Sequence, residues 1–255
     1  MRASFSIIVS AAALFLSLAP ASAQDKRVAL VIGNAAYKNV FALKNPVNDA
    51  NDMAAALSRI GFAVTILTDA TADETRRGLA AFGEKAKTAD TAFVFFAGHA
   101  IQSGDVNWLM PVDGSADTLI DVTNHSVSLD QILEQMAGVG QLAIVILDVA
   151  RNDPFADPKA KRPDAKRSAG KIDTKPTPES VVLGFATGPG RKVADGEGRN
   201  SPYTAALLKH LETPGQDILL ILRKVRDEVA AVTKGDQIPF SYGSLKNDNV
   251  VLVPR

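Results

Sequence analysis

Four short apolar runs constrain this chain more than any other feature. They are "RVALVIG" at 27–33, "TAFVFFA" at 91–97, "LAIVIL" at 142–147 and "VVLGF" at 181–185. None alternates apolar with polar residues, so none can keep one face in water. Runs of this kind are interior strands of a parallel sheet, covered on both faces. A further strand is expected at 63–67 and a last one at 250–253. Segments of helical period lie between them. Residues 46–60 put Ala50, Met53, Ala54 and Leu57 on one face and end before Gly61. Residues 72–86 follow Thr71, which has capping-box spacing to Glu74. Ser128 opens a helix whose stripe is Leu129, Ile132, Leu133 and Met136, and Ser201-Pro202 opens another that runs to about Leu211. Residues 217–232 supply one more, and 101–112 suit a small hairpin. Strands alternating with helices predict an α/β fold: a mostly parallel sheet of about six strands flanked by helices on both faces.

The amino terminus reads as a targeting segment. Arg2 is its only charge, the apolar stretch covers about 5–18, and Pro20 precedes Ala21-Ser22-Ala23. This is the layout of a secretory signal cleaved after Ala23, which makes 1–23 a signal peptide and 24–255 a single domain, secreted or periplasmic. An uncleaved anchor is the weaker alternative, because a spanning helix needs about 20 apolar residues. No other run is long enough to span a bilayer, so no membrane span is expected after cleavage. The 28 basic and 28 acidic residues balance, which argues against nucleic acid as a partner. The chain contains no cysteine, hence no disulfide and no thiol chemistry. Residues 157–178 carry seven Lys and Arg and almost nothing apolar, which predicts a flexible, solvated loop, a plain linker first and a protease-sensitive segment as the alternative.

Two strand ends hold the polar residues of interest. "FVFFAGHAIQ" places His99 after one buried run, and "VILDVARNDPF" places Asp148, Val149 and Ala150 after another. If these strands are neighbours, their carboxyl ends share a crevice, where open α/β sheets bind ligands. An imidazole beside a nucleophile there would form a catalytic dyad. A histidine after a strand is more often an ordinary loop residue or a capped polar group.

Taken together, "RVALVIGNAAY", "LKNPVNDANDM", "FFAGHAIQ", "NWLMPVD", "VSLDQILEQM", "ILDVARNDPF", "GFATGPGRKVADGEGRNSPYTAALLKHL" and "IPFSYGSL" resemble the caspase-like cysteine peptidases, in particular the bacterial metacaspase (orthocaspase) type. The resemblance covers about Arg27 to Val253 and implies a caspase-like fold. It also implies that His99 is the catalytic histidine and that Ala150 stands at the position of the family's catalytic cysteine. A methyl group forms no thiolate and no acyl-enzyme. Ala100 stands where the family has a glycine whose N–H contributes to the oxyanion hole, and that glycine implies backbone angles that suit glycine. Asp49 and Asp148 match acids that line a pocket for a basic side chain. Ala97 replaces a serine found at a third pocket position in some members.

The implied function is an exported pseudo-peptidase that binds Arg- or Lys-containing peptides or a protein partner. One alternative is a cysteine-type endopeptidase whose nucleophile was replaced by an engineered Cys→Ala change. A hydrolase using another nucleophile, with Ser103 or Ser126 as candidates, is a second. A third is a structural partner of an active homologue, paired through a sheet edge. Some members of the family need calcium, and Asp195 and Glu197 are the nearest acids, but they form no defined ligand set and no cofactor is expected. His125 and His210 read as structural residues. The Gly-rich segment 186–200 lacks every nucleotide-loop signature.

Overall fold

The fold is that of a computed structural model, which covers residues 25–103, 106–115, 117–150, 178–188, 193, 195–246 and 250–255. The expected signal segment and nearly all of the 157–178 loop lie outside these residues. Eight strands and six helices follow in order among the described residues: β1 (Arg27–Gly33), α1 (Pro46–Arg59), β2 (Ala63–Thr68), α2 (Ala72–Ala86), β3 (Thr91–Ser103), β4 (Val106–Leu109), α3 (Leu119–His125), β5 (Val127–Ser128), α4 (Leu129–Gln135), β6 (Leu142–Ala150), β7 (Val181–Phe185), α5 (Pro202–His210), α6 (Ile218–Val232) and β8 (Phe240–Ser244). None of these helices is long and apolar enough to cross a membrane.

The sheet runs β2-β1-β3-β6-β7-β8, with β4 and β5 branching from β3. All neighbours on the main path are parallel except β7 and β8. The continuous apolar runs thus occupy the centre. Their side chains alternate between two cores. Val31, Phe93, Phe95, Ile144 and Ile146 pack with α1, α5 and α6, while Leu30, Val94, Phe96, Val145 and Leu147 pack with α2 and α4. Each core shields one face of the sheet from water, which is the main source of stability for strands of this kind. Caps delimit the helices as their sequences require. Thr71 and Glu74 form both bonds of a capping box at α2, and Ser128 and Gln131 do the same at α4.

Three expectations need correction. The run at 91–97 does not end at Gly98; β3 continues to Ser103 and turns into the antiparallel β3–β4 hairpin. The 250–253 segment is not a strand, since Val251 makes one isolated bridge to Asp217. The last strand is β8, whose residues are all exposed at the sheet edge, so no apolar pattern marks it. The sheet also exceeds six strands, because β4 and β5 extend the six-strand path.

A third, smaller core closes the carboxyl end of the sheet. Tyr37, Ile101, Met110 and Val122 form it, with Val40, Leu43 and Trp108 against them. Asn34, buried at the end of β1, ties this cap to the sheet. Its amide donates to the Met110 carbonyl at 2.9 Å and accepts the Ala70 N–H at 3.0 Å.

Candidate active site

The candidate site forms where β3 and β6 end side by side. Their register pairs Ala97 with Asp148, Gly98 with Val149 and His99 with Ala150. The two positions singled out at the strand ends are therefore direct neighbours. Both belong to the strands themselves rather than to the turns beyond.

His99 is held tightly. It is 2% exposed, and its ring lies 4.5 Å from Tyr37 and 4.6 Å from Phe41, centre to centre. Its Nε2 lies 3.0 Å from the Phe41 carbonyl oxygen. A carbonyl only accepts, so Nε2 carries the proton and Nδ1 is the basic nitrogen. The His99 backbone N–H donates to the Tyr37 hydroxyl at 2.7 Å, and that hydroxyl donates to the Met110 carbonyl at 3.3 Å. Burial lowers the His99 pKa, partly opposed by the Phe41 bond and the Asp195 charge, so the ring favours its neutral form. The backbone turns at Gly98, where φ is +152° and a Cβ would lie 2.4 Å from the Tyr37 hydroxyl. Glycine is required there. Ala100, by contrast, lies in the regular β3–β4 ladder opposite Leu109, at negative φ. Its methyl is buried.

The two acids meet on a residue that the sequence marks only as a helix cap. Asp49 lies in the first turn of α1 and is 1% exposed; Asp148 lies near the end of β6 and is 6% exposed. Ser201, the N-cap of α5, touches both. Its N–H donates to Asp49 at 3.0 Å and its hydroxyl donates to Asp148. Thr204 donates a second hydroxyl to Asp148 at 2.7 Å. Burial first, and then the charge of Asp148, push the Asp49 carboxyl up to about 8. Burial raises Asp148 as well, against its hydroxyl donors.

The 195–200 segment is stitched onto α1 beside this pair. Arg199 binds Asp52 through two bonds of 2.8 and 2.9 Å, and Asn200 adds a third to the same carboxylate. The Asp195 carboxylate accepts the backbone N–H groups of Lys44 at 2.6 Å and Asn45 at 3.4 Å. Asp195 is thus committed to holding the turn before α1, and Glu197 contributes its carbonyl, to Lys44. Among the described residues no three His, Asp or Glu side chains converge as metal ligands. With the Asp195 carboxylate taken up by backbone N–H groups, Asp195 and Glu197 do not present a calcium ligand set.

The remaining candidates lie elsewhere. Ser126 caps the end of α3 and is buried. Ser103 closes β3, four residues beyond His99. His125 bonds the Asp121 carbonyl and His210 bonds Glu228, both structural contacts.

A profile of the caspase domain family matches residues 26–250. This chain belongs to the caspase-domain family. It is 26% identical over 240 residues to the human mucosa-associated lymphoid tissue lymphoma translocation protein 1, a match that covers 91% of this chain and 27% of that protein. The chain therefore spans about a quarter of that relative's length. Among solved structures it resembles caspase-1 from Spodoptera frugiperda, with a TM-score of 0.65, 18% identity and 91% of each chain covered. It also resembles protein GSU0716 from Geobacter sulfurreducens, with a TM-score of 0.60 and 20% identity over 88% of this chain and 95% of that one. These likenesses support the caspase-like fold.

Sequence reasoning missed Ser201, Thr204, Tyr37 and Phe41 as parts of the site. Ser201 carried the only local signal, the Ser-Pro helix start. Phe41 acts through its main chain, for which a sequence carries no mark.

Proposed function

We propose that this caspase-domain chain is an exported pseudo-peptidase that binds the basic side chains of peptides or of a protein partner without cleaving them. One observation carries the reading: Ala150 stands opposite His99 in the β3–β6 register, in a chain with no cysteine. The base is oriented and the nucleophile is missing. Covalent catalysis needs both. The buried acids Asp49 and Asp148 support the ligand class. Two carboxylates in one water-poor site favour a guanidinium, which bonds bidentately, over a neutral side chain.

A second reading has its own support. The preserved orientation of His99 also suits a cysteine-type endopeptidase whose nucleophile was replaced by substitution. Cys in place of Ala at codon 150 of the source gene would establish it.

The deciding experiment is titration calorimetry with matched peptides ending in Arg, Ala or Glu. Charge-assisted hydrogen bonds contribute roughly 1.5–3 kcal/mol each, so Arg should bind more than about tenfold tighter. No turnover should accompany binding. Equal affinity for all three peptides would remove the acid pocket from the reading and leave a structural partner role. His99-dependent turnover would remove the pseudo-peptidase.

A further inference from the structure

The contacts of Ser201 go beyond capping α5. A cap needs only the bond its hydroxyl accepts from the Thr204 N–H, at 2.9 Å. Ser201 also spends its hydroxyl proton on Asp148 and its backbone N–H on Asp49. One residue therefore fixes a carboxylate from α1 and a carboxylate from β6 at a common point.

The charges around that point do not balance. Asp195 adds negative potential to both acids, and Tyr203, from α5, is pushed up by burial and by the charge of Asp148. Arg199 is the cation felt by Asp49, but its guanidinium is bound to Asp52. His99, on β3, is held neutral by burial. Among the described residues, these are the titratable and charged groups that face the pair. Two buried carboxylates with no free cation beside them among the described residues cannot both stay ionised at modest cost, so the empty pair retains a proton.

We infer that Ser201 is the positioning residue of the acid pair, and that a cationic side chain enters the pair in exchange for the proton the two carboxylates hold between them. This rests on the basic-ligand reading of the site and adds how that ligand is admitted. The balance is simple: a guanidinium cation enters, one carboxyl O–H bond breaks, and the proton leaves to solvent. The exchange makes affinity depend on pH. Protons compete with the ligand below the pair's upper pKa, so affinity rises with pH and levels off above about 8.

Ser201→Ala supplies the decisive sign. It keeps the N–H on Asp49 but removes the hydroxyl from Asp148, which makes the ionised pair less favourable and raises its proton affinity. A residue that merely capped α5 would weaken binding equally at every pH.

The test is calorimetry on the full chain with an Arg-ending tripeptide amide, in two buffers of different ionisation enthalpy. At about pH 7 binding should release about one proton per peptide, and the Kd should fall roughly tenfold between about pH 6 and pH 7. Ser201→Ala should raise the Kd about tenfold at about pH 7, with a gap under about threefold at about pH 9, and should release more protons, not fewer. Ser201→Thr, which keeps both donors, should restore the wild-type profile. Binding without proton release, or a Ser201→Ala loss that is constant with pH, overturns the inference and leaves the basic-ligand reading standing. Absence of binding at every pH overturns that reading itself. Carboxyl-carbon NMR of the peptide-free protein then decides whether the pair shares a proton. One carboxyl titrating near 8 in the wild type, and higher in Ser201→Ala, supports the sharing; both titrating in the ordinary carboxylate range overturns it.

Discussion

The candidate site at the ends of β3 and β6 has a histidine wall and an acid wall, and the two are held by different means. His99 is fixed by the carbonyl of Phe41 and the hydroxyl of Tyr37, and Tyr37 also builds the small core over the sheet. Its Nε2 and its backbone N–H are matched by neutral partners, so its placement does not depend on a nucleophile. Asp49 and Asp148 are held by hydroxyl and N–H donors at the start of α5, and no described residue supplies them with a free counter-charge. A histidine wall of this kind needs no thiol beside it to keep its place, because the fold maintains it. An acid wall of this kind carries a standing electrostatic cost, which a cationic ligand would relieve. On the proposed function, the acid wall is therefore the more informative of the two about ligand binding.

The largest expected effect comes from returning a thiol to the histidine wall. Ala150→Cys puts the nucleophile in register with His99, whose Nδ1 is the basic nitrogen. The family pattern suggests that Ala100→Gly is needed too. The negative φ of Ala100 removes that requirement, so the single change should yield Arg-directed cleavage of a chromogenic peptide. Adding His99→Ala should lower the rate by about 100-fold or more, the usual contribution of a positioned base. If Ala150→Cys gives no turnover, with or without Ala100→Gly, the histidine wall is scaffold alone, and the comparison between the walls fails.

Next in size is Gly98→Ala. Its φ of +152° is strained for any residue with a side chain, and a methyl would meet the Tyr37 hydroxyl at 2.4 Å. A loss of about 2–4 kcal/mol in urea unfolding is expected, with His99 displaced. A loss near zero would show that the histidine wall is less rigid than its contacts imply.

Much of the fold is legible in the amino-acid sequence itself. Continuous apolar runs reveal the central strands, since only burial on both faces explains them. Thr71 with Glu74, and Ser128 with Gln131, reveal helix starts because capping chemistry is local. β8 is not legible, because "FSYGS" lies exposed at an edge and is specified by pairing with β7. The same division runs through the site. His99, Asp49 and Asp148 are recognisable as residue types in motifs. The meeting of both acids on Ser201 is not, because it joins α1, β6 and α5 across more than fifty residues of chain.

The smallest effect expected is also the one that separates the walls by sign. The carboxyl of Asp49 has its ordinary pKa of 3.8 in the unfolded chain and about 8 in the folded one. Between these values the folded protein binds more protons, so the contribution of Asp49 to stability is full below about pH 4 and is lost as pH rises toward 8. Asp148 acts in the same direction. His99 acts oppositely: its lowered pKa contributes stability above the unfolded value, and that contribution is lost as pH falls through the folded pKa. Asp49→Asn keeps an oxygen to accept the Ser201 N–H but cannot ionise. Urea unfolding should find it close to wild type near pH 4 and more stable near pH 9, by at least about 1.4 kcal/mol, the worth of one pKa unit. His99→Gln should show its pH dependence at the acid end instead. A constant offset between Asp49→Asn and wild type from about pH 5 to pH 9 would mean that Asp49 is ionised throughout. The acid wall would then be as well matched as the histidine wall, and the contrast between them would disappear.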